Sequence, residues 1–220
     1  MTELHPATRS PDLGDVRDRG YWNRRYASAE LVWTAQPNRF LVAEIAGLAP
    51  GHALDLACGE GRNAVWLAER GWKVTGVDFS DIGLAKAERL AAARGVEIEW
   101  ILADVLEYEP PAASFDLVAL LYLQVRQEEL RIVLARAADA LAPGGTVFVV
   151  GHDLANLTEG YGGPSSPEVL YTAQDVVAGL AGLAVEKAER VTRTVPVDGE
   201  DRVAIDALVR AVKPLSSPSP

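Results

Sequence analysis

The stretch Ala53-Leu54-Asp55-Leu56-Ala57-Cys58-Gly59-Glu60-Gly61-Arg62-Asn63 constrains this chain more than any other. It opens with the apolar residues of a strand (Ala53, Leu54, Leu56), crosses a glycine turn, and runs into the helical pattern Ala64-Val65-Trp66-Leu67-Ala68. Strand, glycine turn and helix in that order begin a βαβ unit. Gly59 and Gly61 have no Cβ, so the backbone can take φ > 0 and a ligand can lie against the main chain, facing the first amides of the helix. The turn predicts a binding loop.

The chain then alternates strand and helix, as a parallel sheet with right-handed crossovers requires. Strands are expected at His52 to Leu56, Lys73 to Asp78, Glu97 to Leu102, Phe115 to Leu121 and Thr146 to Val150. The fourth is almost wholly apolar, as a central strand covered on both faces should be. Helices fit Asn63 to Arg70, Asp81 to Arg94 (with Ser80 as N-cap and Gly95 closing it) and Gln127 to Leu141, followed by the turn Pro143-Gly144-Gly145. Gly151 to Tyr171 shows little periodicity, and a connection of that length is more often functional than not. A helix at Thr172 to Leu180 and two strands, Ala184 to Pro196 and Arg202 to Val212, follow, joined by the turn signal Asp198-Gly199. Upstream, Asp12 to Ala27 fits an amphipathic helix bearing Tyr21, Trp22 and Tyr26, and Gln36-Pro37-Asn38 starts a second, Arg39 to Ala46. Residues up to about Pro11 and the Pro214 to Pro220 tail read as disordered.

Two ligand classes use such a turn. Gly59-x-Gly61-x-x-Ala64 fits a dinucleotide fingerprint, with Asp78 about twenty residues on as the acid for a ribose. Asp55 and Glu60 point elsewhere. A pyrophosphate would meet two carboxylates in a partly desolvated loop, whereas a ligand carrying a sulfonium and an ammonium would not. S-adenosylmethionine (SAM) is such a ligand, and NAD(P) is the alternative.

Val77-Asp78-Phe79-Ser80 and Ala103-Asp104-Val105 follow the first stretch at the ends of the next two strands. Together, in order and spacing, the three resemble the successive motifs of class I SAM-dependent methyltransferases, over Leu48 to Lys213. The resemblance implies a Rossmann-like α/β fold: a seven-stranded, mostly parallel sheet with helices on both faces and a C-terminal antiparallel hairpin. It implies that the glycine turn lies under the methionine part of SAM, that Asp78 binds the ribose hydroxyls and that Asp104 reads the adenine amino group. Ala57, Cys58, Phe79, Val105 and Leu121 complete the implied cofactor envelope beside Asp55, Gly59 and Gly61. Tyr21-Trp22-Asn23-Arg24-Arg25-Tyr26, Trp33 and Pro37-Asn38-Arg39-Phe40-Leu41 resemble the leader of tellurite-resistance-type and thiopurine-type methyltransferases, which packs over the cofactor as a lid. On that reading residues 1–47 form a helical lid on a single domain, Trp22 and Trp33 touch the cofactor, and Arg39 or Arg25 meets its carboxylate.

Composition narrows the partners. At 220 residues, 49% hydrophobic and 24% charged, the chain has the size and make-up of one soluble domain. Its 21 Lys and Arg against 31 Asp and Glu give a net charge of -10, which disfavours nucleic acid and anionic membranes. No apolar run approaches the roughly eighteen residues needed to span a bilayer, and no signal-peptide core precedes the fold, so a cytoplasmic monomer or homodimer is expected. The single cysteine excludes an intrachain disulfide and any cysteine-rich zinc site, and no metal is expected. Cys58 reads as a small packing residue.

Methyl transfer from a sulfonium is an in-line displacement, so the protein must align donor and acceptor, and a base is needed only when the acceptor loses a proton. His152, after the fifth strand, reads either as a loop histidine or as that base. Tyr122 fits core packing and acceptor contact equally, and Tyr171 is expected to wall the acceptor pocket. Leu121-Tyr122-Leu123-Gln124 stands where amide and base N-methyltransferases carry an Asn-Pro-Pro-Tyr-like sequence. A small-molecule acceptor is expected: a hydroxyl, thiol, amine, or a soft anion such as a chalcogen oxyanion or halide. A SAM-binding protein without transferase activity is the third reading.

Overall fold

The computed structural model describes residues 18–197 and 199–215. The expectations for residues 1–17, Asp198 and residues 216–220 lie outside them. Seven strands run β1 (His52–Leu56), β2 (Lys73–Asp78), β3 (Glu99–Leu102), β4 (Phe115–Leu121), β5 (Leu141–His152), β6 (Ala184–Val197) and β7 (Glu200–Val212). They form one sheet in the order β3-β2-β1-β4-β5-β7-β6. β1 to β5 pair in parallel, and β7 is antiparallel to both β5 and β6. The chain moves outward from β1 to β3 and then returns to β4 on the other side of β1, which opens a crevice at the carboxyl ends of β1 and β4.

Alternating side chains send each strand to two cores. Leu54, Leu56, Val118, Leu120, Val147 and Val149 pack against α5 (Gln127–Ala140) and α7 (Ala173–Gly179). Ala53, Val74, Leu117, Ala119, Phe148 and Leu208 pack against α2 (Arg39–Ile45) and α3 (Arg62–Ala68). Beside α3 lies α4 (Asp81–Arg94), capped by Ser80 Oγ on Gly83 N and closed by left-handed Gly95. α1 (Arg19–Ala27) rests on α4, with the Asp18 carboxylate accepting from Tyr21 N at 2.7 Å.

Three details differ from the sequence reading. β3 starts at Glu99, two residues late. Pro143-Gly144-Gly145, expected as a turn, falls within β5, whose Leu141 pairs with Phe115 before the register shifts. The segment after His152 holds the short helix α6 (Asn156–Glu159) and a 3-10 turn at Pro167–Val169. Side-chain bonds organise it where apolar periodicity is missing. The Asp153 carboxylate accepts from Ala155 N, while buried Asn156 donates to Gly162 O and accepts from Ile205 N.

Candidate active site

The glycine turn follows β1 as expected, but its glycines serve the protein's own packing as well. Gly59 and Gly61 have φ of 56° and 78°, the left-handed region open to glycine. A Cβ on Gly59 would stand 2.6 Å from the Tyr26 hydroxyl, and one on Gly61 would stand 2.7 Å from Ala87 and Trp100. The Cβ side of the turn is therefore filled by α1, α4 and β3. Cys58 N, Gly59 N and Gly61 N already donate to Val77 O, Asp78 and Cys58 O, so a ligand has Glu60 N and the strand ends to lie against. Ala57 and Tyr122, one residue past β1 and β4, also have positive φ, 57° and 56°. Non-glycine residues in that region mark stored strain, and here both lie at the crevice.

Asp55 is 1% exposed, and its Oδ2 has no hydrogen-bond partner among the described residues. Burial and the nearby Asp78 raise its pKa from 3.8 to about 7. Asp78, at the end of β2, accepts from Gly59 N through Oδ2 and from Ser80 N through Oδ1, both at 2.8 Å. It pins the glycine turn to the second strand, and burial still carries its pKa to about 6. Half-buried Asp104 accepts from Leu106 N and lies close enough to Asp78 to raise it further. Phe79 is half-buried, while Val105 and Leu121 are buried. Cys58 is buried behind the turn with its thiol pushed well up by burial and the two aspartates, which keeps it protonated and fits a packing role.

Glu60 does not face the crevice as a bare charge. Its carboxylate pairs with Lys86 at 3.0 Å and accepts from Val32 N and Trp33 N, also at 3.0 Å. Lys86 of α4 balances its charge and the leader amides fill its oxygens, so Asp55 is the acid of the pair left to oppose a phosphate. The leader aromatics meet one another: Trp22 stacks on Tyr26 at 5.6 Å, and the Arg25 guanidinium lies 5.1 Å from the Trp33 ring centroid. Arg25 Nε is buried without a hydrogen bond to any described residue. Arg39 turns away; it donates to Thr192 O, lies over Phe40, and lines a hollow between α3 and residues 35–42.

At the other end of the crevice a polar cluster surrounds Asp206, which is fully buried. Antiparallel register sets His152, the last residue of β5, opposite Asp206 in β7, and Arg193 of β6 lies diagonally across. His152 Nδ1 is 3.3 Å from Asp206 Oδ1, while the Tyr122 hydroxyl and Arg193 Nε each donate to Oδ2 at 2.8 Å. Burial raises the Asp206 pKa, but His152, Arg193 and Tyr122 outweigh it and hold the carboxyl below its usual range. The Tyr122 and His152 rings are 4.8 Å apart. Tyr171 backs this cluster from the core side, where burial raises its hydroxyl pKa and Tyr122 and Asp206 lie close enough for their charges to add to the rise. It is 2% exposed in the α5/α7 core, with its hydroxyl against the Cα of Gly151 and without a hydrogen bond to any described residue.

Comparison with known proteins fits this geometry. Residues 53–145 match a family described as a methyltransferase domain. A solved structure from work on the conversion of a disulfide bond into a thioacetal group during echinomycin biosynthesis superposes with a TM-score of 0.70 at 25% identity, covering 90% of this chain and 93% of that one. The N-methyltransferase NodS from Bradyrhizobium japonicum, solved with S-adenosylhomocysteine, gives 0.65 at 21% identity over 89% and 98%. The fold is that of class I methyltransferases. A demethylmenaquinone methyltransferase from Thermus thermophilus is 38% identical over 104 residues, which make up 46% of this chain and 47% of that protein. The chain thus spans about half the length of the curated relatives it matches.

Asp206, Arg193 and Lys86 were not singled out from the sequence. A lysine on the inward face of α4 was the one available signal, since Lys86 falls in register with Gly83 and Ala87.

Proposed function

We propose that this chain is a SAM-dependent methyltransferase of a small molecule whose accepting atom carries a dissociable proton, such as a hydroxyl. The fit of the cofactor rests on Asp55, a buried carboxyl with an unsatisfied oxygen whose pKa stays raised despite the nearby Arg62 and Ala64 N–H, an environment that favours a further cationic group over a pyrophosphate. SAM supplies a methyl group already activated on a sulfonium. Asp55 and the glycine turn would hold its amino-acid end, Asp78 the ribose and Asp104 the adenine. Arg25 is better placed than Arg39 for the carboxylate, because its Nε is buried and unbonded beside Trp33. Residues 18–47 serve as a cover on the 48–213 core, and the leader's likeness to tellurite-resistance-type and thiopurine-type methyltransferases supports that placement.

The single observation that carries the acceptor reading is the His152–Asp206 pair. Asp206 Oδ1 lies 3.3 Å from Nδ1, which places a carboxylate against the ring that would take the acceptor's proton. Arg193 and Tyr122 keep Asp206 ionised, so an imidazolium formed at His152 stays beside a carboxylate.

The test has two stages. Calorimetry should find S-adenosylhomocysteine bound and NAD ignored; saturable NAD binding without S-adenosylhomocysteine binding overturns the cofactor. A pooled small-molecule screen for methylated products then identifies the acceptor and separates an enzyme from a SAM-binding protein. With it in hand, His152→Ala and Asp206→Asn should lower turnover by about 10²- to 10⁴-fold while S-adenosylhomocysteine affinity stays within a few-fold. Wild-type turnover in both variants refutes the base.

A further inference from the structure

Lys86 and Glu60 form a buried ion pair, with side-chain exposures of 7% and 2% and a 3.0 Å separation. A buried pair seldom stabilises a fold more than apolar side chains of the same size, so its value lies in what it holds in place. Lys86 Nζ has three protons and three acceptors: Glu60 Oε1, Ala29 O at 2.6 Å, and Tyr26 O. Glu60 in turn accepts from Val32 N and Trp33 N. One lysine and one glutamate thereby tie the backbone of four leader residues, Tyr26, Ala29, Val32 and Trp33, across the turn.

Everything tied down bears on the glycine turn. Tyr26, 5% exposed, sets its hydroxyl against Gly59, and Trp33 carries the Arg25 guanidinium on its ring. Glu60 itself stands between the two glycines, so the element that receives the cofactor and the element that covers it share one buried charge pair. A fully satisfied network of this kind fixes geometry because each partner leaves another unpaired if it moves.

We propose that Lys86 is a positioning residue: acting through Glu60, it sets residues 26–33 on the glycine turn and so tunes affinity for the amino-acid end of the cofactor. The proposal rests on the reading that this crevice binds SAM. Its test uses two ligands, S-adenosylhomocysteine and 5′-methylthioadenosine, which share the adenosine and the thioether but differ in the amino-acid end. In calorimetry Lys86→Met should weaken S-adenosylhomocysteine by tenfold or more and leave 5′-methylthioadenosine within about twofold. Glu60→Gln, which keeps the shape and removes the charge, should move the same way by a smaller factor, and it carries the test if Lys86→Met fails to fold. Hydrogen exchange at residues 26–33 should quicken in either variant. Equal weakening of both ligands marks a general loosening and overturns the proposal, as does unchanged affinity for both. Failure of the wild-type protein to bind either ligand overturns the SAM reading instead.

Discussion

Asp78 has one structural duty on view, and the proposed function would add a second. Its carboxylate accepts from Gly59 N and Ser80 N, which uses one lone pair on each oxygen and leaves others for two ribose hydroxyls. From the sequence alone, replacing it should cost binding only. The structure adds a cost in stability, since Asp78→Ala strips two backbone amides of their acceptor in a site that is 4% exposed. We expect Asp78→Ala to weaken S-adenosylhomocysteine by about 2 to 4 kcal/mol and also to destabilise the fold by about 1 to 3 kcal/mol. Calorimetry and denaturant titration measure the two effects separately. Wild-type affinity in the variant removes Asp78 from the ribose site.

Among the elements, the C-terminal hairpin decides the acceptor end. β7 lies between β5 and β6, and this register brings His152, Asp206 and Arg193 together from three strands. The loop after α6 closes over them: Gly163 has φ of 74°, and a Cβ there would stand 2.9 Å from His152 Nδ1. Gly163→Ala should therefore push the imidazole off Asp206 and strain the loop backbone. Turnover of a hydroxyl acceptor should fall by about 10-fold or more, a fraction of the full worth of a general base, with S-adenosylhomocysteine affinity kept. Steady-state kinetics beside calorimetry checks this, and a variant as fast as wild type shows that the loop does not hold the ring.

Across the whole molecule, the buried aspartates couple stability to pH in an unusual sense. Asp55 and Asp78 hold their protons up to about 7 and about 6 in the fold, against 3.8 ordinarily. Between those values the folded chain binds more protons than the unfolded chain, so stability falls as pH rises through that window. Asp206, held below 3.8, loses its contribution only in more acid solution. A ligand ammonium set beside them, as S-adenosylhomocysteine would supply, favours the ionised aspartates, so its binding releases protons and tightens as pH rises through 6 to 7. We expect the ligand-free thermal midpoint to fall from pH 5.5 to 7.5, the shift given by S-adenosylhomocysteine to grow, and Asp55→Asn to flatten both trends. Thermal scans at the two pH values decide it, and parallel trends in wild type and variant exclude Asp55 as their source.

By itself the sequence determined what depends on neighbours along the chain. The strand-turn-helix at Asp55 to Asn63, the Ser80 cap, the closing Gly95 and the apolar run of β4 are local signals, each read within a few residues because backbone geometry and periodicity act at that range. The motif spacing followed, since each acid ends a strand of a repeating βαβ unit. Only the tertiary structure decided the partners. Glu60 read as a charge facing the ligand until Lys86, 26 residues on, was found to neutralise it. That Tyr171 is fully buried, near Tyr122 and Asp206, was likewise settled by packing that no local pattern records. His152 and Asp206 meet through the antiparallel register of β5 and β7, and Arg193 joins them through that of β6 and β7, long-range pairings set by whole strands and not by any feature near these residues.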